Sequence, residues 1–523
     1  MLQEAGMIIR SILCLLLLLS IPAGAVDFTT LQGKVLFGYQ GWFGCPGSWG
    51  GSWVHWARGV PSATNLTVEM YPDLKEFAVQ DLCVAGSLTI NGSPAYFYSA
   101  RNSAIVDRHF KWMMDYGLDG VLVQRFVTGL SGFRSGGDVV LKNIIAASQK
   151  YGRAIAVEYD VSGASFTTWA NDIKTDWQYL VDSVQITSLP NYLHHKGRPL
   201  ISVWGIGLLD GNNHPPSIPG DALAFIQWFH TDAPEKYKAS FMGGTPAGWR
   251  TLNRDARTDP AWLNVYKAMD AVQPWNVGRF ADTNAVNGWW HNDLVADKRW
   301  LDSTGVLYMP VIFSGFSWSN WNGGPPNQIP RAGGKFVWQQ AYNVIGLGIP
   351  AIKIAMFDEV DEATAMYKIA ATRRDAPDQA YWVTLDADGY QLPTDWYLRL
   401  GSCITCELHG WRALSRNIPI SADSAWKDSS SCRQITGIAG DFRRNGMSPG
   451  FTVTKGTVSF QGLGTVSSLV IYDLKGRELR RLIPVNGKAR WDCRDFRGSR
   501  SAPGVFLIGV KDRHGPVIKI VSE

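Results

Sequence analysis

Ile352-Lys353-Ile354-Ala355-Met356-Phe357-Asp358-Glu359-Val360-Asp361-Glu362 decides how the rest of this chain is read. Its first half is apolar and partly β-branched, the pattern of a strand buried on both faces. Its second half carries four carboxylates within five residues, and that many acids are not buried without partners. A core strand that empties into acids predicts a strand ending at a functional rim. Glu359 and Glu362 stand three apart. On a helical turn such residues share a face with Cβ atoms about 5–6 Å apart, whereas on a continuing strand they point to opposite faces. The helical arrangement suits retaining glycoside hydrolysis, whose two carboxyls stand about 5–5.5 Å apart. A solvated acidic loop and a hard-cation site of oxygen ligands are the plain alternatives.

Outward from that stretch, strand-like runs recur at Lys34 to Phe43, Val121 to Phe126, Ile155 to Tyr159, Leu200 to Trp204, Ser240 to Gly243, Gln273 to Phe280, Val306 to Phe313 and Ile349 to Phe357. Helical spacing appears between some of them, at Asp107 to Tyr116, Asp138 to Lys150 and Leu223 to Phe229. Eight β/α units predict a (β/α)8 TIM barrel with insertions over residues 26–408, with a doubly wound open sheet as competitor. In such barrels the site is built at the C-terminal strand ends. The expected cleft then collects Tyr39, Gln40 and Trp42 from the first strand, Gln124 and Arg125 from the second, and Glu158 and Asp160 from the third. Later strands add Trp204, then Trp275, Asn276 and Arg279, then Trp318 and Trp321, and finally Asp358 and Asp361 beside the two glutamates.

Beyond Leu408 the alternation stops. Residues 409–450 read as a linker or cap, and 451–523 as a small all-β Ig-like sandwich. In that module Val466 to Tyr472 with Glu478 to Ile483, and Val505 to Val510 with Val517 to Val521, are expected hairpins.

At the other end, Arg10 precedes an almost wholly apolar Ser11 to Ser20, and Ala23-Gly24-Ala25 offers a small-residue cleavage site. This predicts a signal peptide over residues 1–25 and a secreted, periplasmic or cell-surface protein; the run is too short to span a bilayer. Cys14 leaves with it. Six cysteines remain, an even number that permits disulfides in an oxidising compartment, with 15 pairings open. Cys45 with Cys83, and pairs among Cys403, Cys406, Cys432 and Cys493, are the local choices.

A net charge of +5 spread over 523 residues leaves no basic stripe for nucleic acid. The 23 tryptophans are the unusual feature, many of them beside Gly, Asn, Ser or His, where a stiff amphipathic ring serves as a binding platform. No G-x-S-x-G, H-E-x-x-H, P-loop or strand-borne G-x-G-x-x-G is present. Neither a metal nor a cofactor is expected. Export, a Trp-walled cleft and paired carboxylates converge on a glycan or polysaccharide partner, since sugar rings stack on aromatics while their hydroxyls need dense hydrogen bonding.

Phe357-Asp358-Glu359-Val360-Asp361-Glu362-Ala363-Thr364 resembles the F-N-E-W-H-E-G-T segment of glycoside hydrolase family 99, the endo-α-mannosidases. The likeness extends to Met70-Tyr71-Pro72-Asp73-Leu74, Asp107 to Met113, Asp115 to Gly120 and Gln124-Arg125-Phe126, and is strongest to the broad 71/99-like bacterial group. The resemblance implies a (β/α)8 barrel and retaining hydrolysis of α-linked mannosides. It makes Glu359 the residue that takes the proton of the sugar 2-hydroxyl, which then attacks C1 to give a 1,2-anhydro intermediate. Glu362 becomes the general acid that protonates the leaving oxygen and later activates water. Val360, Asp361 and Ala363 stand where the family motif has Trp, His and Gly. In the tail, Val470 to Arg477, Trp491 to Asp495 and Gly504-Val505-Phe506 resemble Ig-like modules of exported bacterial proteins, some of which engage secretion machinery. A non-catalytic glycan-binding protein on a degenerate barrel, and a cation-stabilised surface protein, are the competing readings.

Overall fold

The structure is a computed structural model of the chain. It describes residues 26–432 apart from 48–49, 132–133, 210 and 212, and beyond Gly450 mainly the strands of a second unit. The expected signal segment, 1–25, lies outside the described residues, as do 433–449. The chain divides into two compact units. The first runs to His409 and includes Arg416–Cys432; the second takes Gly410–Ser415 and the chain from Arg433.

The first unit is built on eight parallel strands: β1 (Lys34–Tyr39), β2 (Gly120–Phe126), β3 (Ala154–Asp160), β4 (Arg198–Trp204), β5 (Ser240–Thr245), β6 (Ala271–Pro274), β7 in two pieces (Leu307–Tyr308 and Val311–Phe313) and β8 (Ala351–Ala355). Hydrogen bonding runs from Leu307–Tyr308 through β6, β5, β4, β3, β2, β1 and β8 to Val311–Phe313. Both ends of that order are pieces of β7, so the sheet curls until its ends are consecutive residues of one stretch. This is a TIM-like (β/α)8 arrangement. Pro310 sits in the gap and has no N–H to give, yet its carbonyl accepts from Lys353 N at 3.2 Å while Met309 N donates to Val272 O at 2.9 Å.

Strands buried on both faces explain the near-continuous apolar runs: every residue of β1, β3, β5, β6 and β8 is buried. Close approach explains one glycine. A Cβ on Gly120 would lie 2.0 Å from the Ala154 carbonyl of the next strand. The helix Ser103–Asp115 starts a turn before the expected Asp107, because Asn102 caps it by accepting from Ala104 N at 3.0 Å. The sixth strand differs from the reading. It ends at Pro274 rather than continuing to Phe280, because Asn276 closes a turn by accepting from Arg279 N at 3.0 Å.

Part of the expected linker packs on the first unit. Trp426 stacks on Tyr116 with centroids 5.7 Å apart, and disulfides join Cys406 to Cys432 and Cys45 to Cys83. Cys403 and Cys493 are buried. In the second unit Gly450–Thr454, Thr457–Gln461 and Ala489–Trp491 form one antiparallel sheet. Glu478–Leu482, Leu469–Tyr472, Gly504–Val510 and Ile518–Ser522 form another, in which both expected hairpins are paired. Their turns, 473–477 and 511–517, lie outside the described residues. Among the described residues no helix is long and apolar enough to cross a membrane.

Candidate active site

The acids lie immediately beyond the C-terminal end of β8, where the backbone leaves the ladder. The helical turn that would align Glu359 and Glu362 is absent. Val360–Ala363 form a turn with Ala363 in the left-handed region (φ 56°), and Glu359 O accepts from Thr364 N at 3.2 Å and Ala365 N at 3.1 Å. This wide loop reverses the chain over the end of the ring. Phe357 N donates to Gly38 O at 2.7 Å, and Asp358 accepts from the backbone N–H groups of Gln40 and Gly41, both at 2.8 Å. Asp358 therefore fastens the β8 loop to the β1 loop.

Glu359 is 4% exposed. Each of its oxygens accepts one hydrogen bond, Oε1 from Gln40 Nε2 at 2.6 Å and Oε2 from Thr364 Oγ1 at 2.7 Å. Glu362 is half-buried. Trp318 faces it, with an indole N–H near enough to draw its pKa down but short of a full hydrogen bond. Burial, more than any charge, raises all four carboxyls: Asp358 to about 7, Glu359 to about 8, and Asp361 and Glu362 well above the usual range. The like charge of Glu359 comes next for Glu362, and that of Asp361 for Glu359. The two glutamates thus sense one another across the loop. Asp160, at the end of β3, is raised by burial to about 6 and adds to the field at Glu362. With two donors on Glu359 and a weak one on Glu362, Glu359 is the first of the pair to ionise as pH rises, and Glu362 keeps its proton longer.

Aromatic rings line this rim. Trp42, from the β1 loop, lies flat on His55 at 3.9 Å and 4°, and Trp321 lies nearly parallel on the same imidazole at 5.7 Å and 12°. His55 Nδ1 meets Asp361 Oδ2 at 2.9 Å, and burial lowers the imidazole to about 4. Glu69 is fully buried beneath the β7 loop, accepting from Ser317 Oγ at 2.7 Å and Asn320 N at 2.5 Å. It fixes the loop that carries Trp318 and Trp321. Trp204 and Trp275 meet edge to face at 5.3 Å, with Trp275 over the Lys353 ammonium.

Several residues expected in the cleft have their polar atoms engaged within the protein. Tyr39 is fully buried with its hydroxyl 2.9 Å from His109 Nδ1. Arg125 is clamped by Asp176 at 2.5 and 2.6 Å and by Asp138 at 3.0 Å. Glu158 lies inside the ring, bonded to Lys353 and Gln273, to Gln124 at 2.5 Å and to Ser202 at 2.7 Å. Asn276 donates to Val311 O at 3.0 Å, and Arg279 pairs with Asp255 at 2.8 Å. These five tie the barrel and its loops together. His55, Glu69 and Lys353 escape a reading that looks only at strand ends. His55 sits in the Gly/Trp-rich stretch after β1, and Glu69 directly precedes the quoted Met70-Tyr71-Pro72.

No family model matches the chain, and no curated protein matches it. Among solved structures, the family 99 endo-α-mannosidase of Bacteroides thetaiotaomicron is 18% identical, with a TM-score of 0.51 over 73% of this chain and 99% of that one. A Bacteroides endo-α-mannosidase of the same family in complex with bis-tris-propane gives 17% and 0.52, over 73% and 98%. At such identity the likeness is one of fold: the barrel resembles that of these two structures.

Proposed function

We propose that the protein is a secreted glycoside hydrolase acting on α-linked, mannose-containing glycans by a retaining, paired-glutamate mechanism. The observation that carries this is the unequal hydrogen bonding of the two glutamates beyond the C-terminal end of β8. A base must hold the charge and an acid must hold the proton. Glu359, with Gln40 and Thr364 on its oxygens, takes the proton of the sugar 2-hydroxyl as that oxygen attacks C1. Glu362 protonates the departing oxygen, then removes a proton from the water that attacks C1, while Glu359 returns its proton to O2 as the C1–O2 bond of the 1,2-anhydro ring breaks. The rings of Trp42, Trp318 and Trp321 offer apolar faces to the sugar, and Asp160 and Asp361 offer acceptors to its hydroxyls. Two disulfides accord with an oxidising compartment beyond the predicted signal segment. The second unit is read as an Ig-like module serving as spacer or sorting element.

The test is turnover. Glu359→Gln and Glu362→Gln should each lose about 10²–10⁴ in rate on α-mannans, with the product anomer read by NMR. Full activity of both variants on the true substrate would end the assignment.

A further inference from the structure

Beside the carboxylates a cavity of about 620 Å³ opens, lined by Gln40, Trp42, His55, Arg101, Gln124 and Phe126 among others. Two of these residues touch the acids directly, Gln40 through Glu359 and His55 through Asp361, so the cavity adjoins the reaction centre. Its charge is unlike that of the rim. Arg125 is neutralised by Asp176 and Asp138, and Arg134 leans on Asp138 at 3.5 Å with its guanidinium 3.8 Å over the Tyr179 ring. Arg101 has no carboxylate partner among the described residues.

Arg101 is nonetheless held in place. Its carbonyl accepts from Asn143 Nδ2 at 3.0 Å. Its guanidinium lies between two glycines: a Cβ on Gly51 would stand 3.0 Å from Nη1, and one on Gly136 2.2 Å from Nη2. Any other residue at Gly136 would push the group aside. A guanidinium lying between two glycines, half-buried and without a counter-charge among the described residues, is open to an oxyanion from outside, which it can meet with two parallel N–H donors. An aromatic face within the same cavity suits a sugar ring.

We propose that this cavity is a subsite for a sugar residue bearing an anionic substituent, with Arg101 as its charge-reading residue. The substituent is a carboxylate, sulfate ester or phosphate ester, each of which can present two terminal oxygens to the paired N–H donors of a guanidinium. This deepens the hydrolase reading and rests on it only in naming the ligand a sugar. A protein that cleaves acidic glycans must keep the substituent clear of its own buried carboxyls, and Arg101 supplies an attractive position away from them.

The experiment is equilibrium binding of methyl α-D-glucuronide, mannose 6-sulfate, mannose 6-phosphate and neutral methyl α-D-mannoside to the full chain, by ligand-observed NMR. At least one anionic sugar should bind about tenfold to a hundredfold more tightly than the neutral one, as a charge-assisted pair provides. Which one it is identifies the substituent. Arg101→Gln should erase the preference, bringing the affinity for the anionic sugar down to that for methyl α-D-mannoside. On the unaltered protein, added salt should weaken the anionic sugar alone, which covers a variant that fails to fold. Equal binding of all four sugars, or a preference that survives Arg101→Gln, overturns the inference. Because no turnover enters this readout, a protein that binds the anion and cleaves nothing overturns the proposed activity alone.

Discussion

A buried carboxyl whose pKa is raised makes the folded protein bind protons more tightly than the unfolded chain does, so stability falls as pH rises between the two values. Glu359 goes from its ordinary 4.5 to about 8, chiefly through burial and then through Asp361. At about 1.36 kcal/mol per tenfold change, forcing its charge into the fold costs roughly 5 kcal/mol once the pH is well above 8. At pH 8 the cost is roughly 4 kcal/mol, and at pH 5 about 1 kcal/mol, by the same relation. Glu359→Gln removes the charge and keeps the shape. The new amide still accepts from Gln40 Nε2 and donates to Thr364 Oγ1. With unfolding entropy of about 2.1 cal/mol/K per residue over roughly 400 residues, the variant should melt about 5 °C higher than the parent at pH 8, but only about 1 °C higher at pH 5. Scanning calorimetry of both proteins at the two pH values reads this directly. An increment that is the same at both pH values, or larger at pH 5, would refute the reasoning, because it would mean that Glu359 is not charged at a cost in the fold.

Asp361→Asn removes a like charge from beside both glutamates, so their carboxyls ionise more easily and the acid limb of kcat/KM should move to lower pH. A pH–rate profile checks it. Glu362→Gln should lose its full factor of about 10²–10⁴ on a natural glycan, yet much less on an aryl glycoside whose leaving group needs no proton; equal losses on both would remove the acid role. Lys353→Met leaves Glu158 buried without its cation and should destabilise by about 3–5 kcal/mol in urea titration, with any loss of activity following the loss of fold. Reducing the Cys406–Cys432 bridge, whose cysteines are 26 residues apart, should cost about 3.5 kcal/mol by loop entropy, visible as a lower midpoint with reductant.

The strands were legible because each is buried on both faces, which leaves runs such as Val35 to Phe37 and Ile352 to Ala355 that only a covered parallel sheet explains. The junction of β7 was not. Met309-Pro310 looks like a continuation of the run, and only the missing N–H of the proline separates a piece that pairs with β6 from a piece that pairs with β8. At the site, sequence position told which residues end a strand but not which way they face. A strand alternates its side chains, so Arg125, one step from Gln124, turns to Asp176 on a helix while Glu158, two steps short of Asp160, lies deeper inside the ring. Conversely His55 and Glu69 lie in loops with no periodicity to betray them, and their partners, Asp361 and Ser317, are roughly 250 to 300 residues away in sequence. The glutamate pair was found for a reason that proved incomplete. No helical turn joins them; a looser loop does, tied down by Asp358 on one side and by Thr364 on the other. The difference bears on chemistry. A helix would give both carboxyls the same face and similar donors, whereas this loop gives Glu359 two firm hydrogen bonds and leaves Glu362 nearly bare. That asymmetry, and not the spacing of three, is what the proposed division into base and acid rests on.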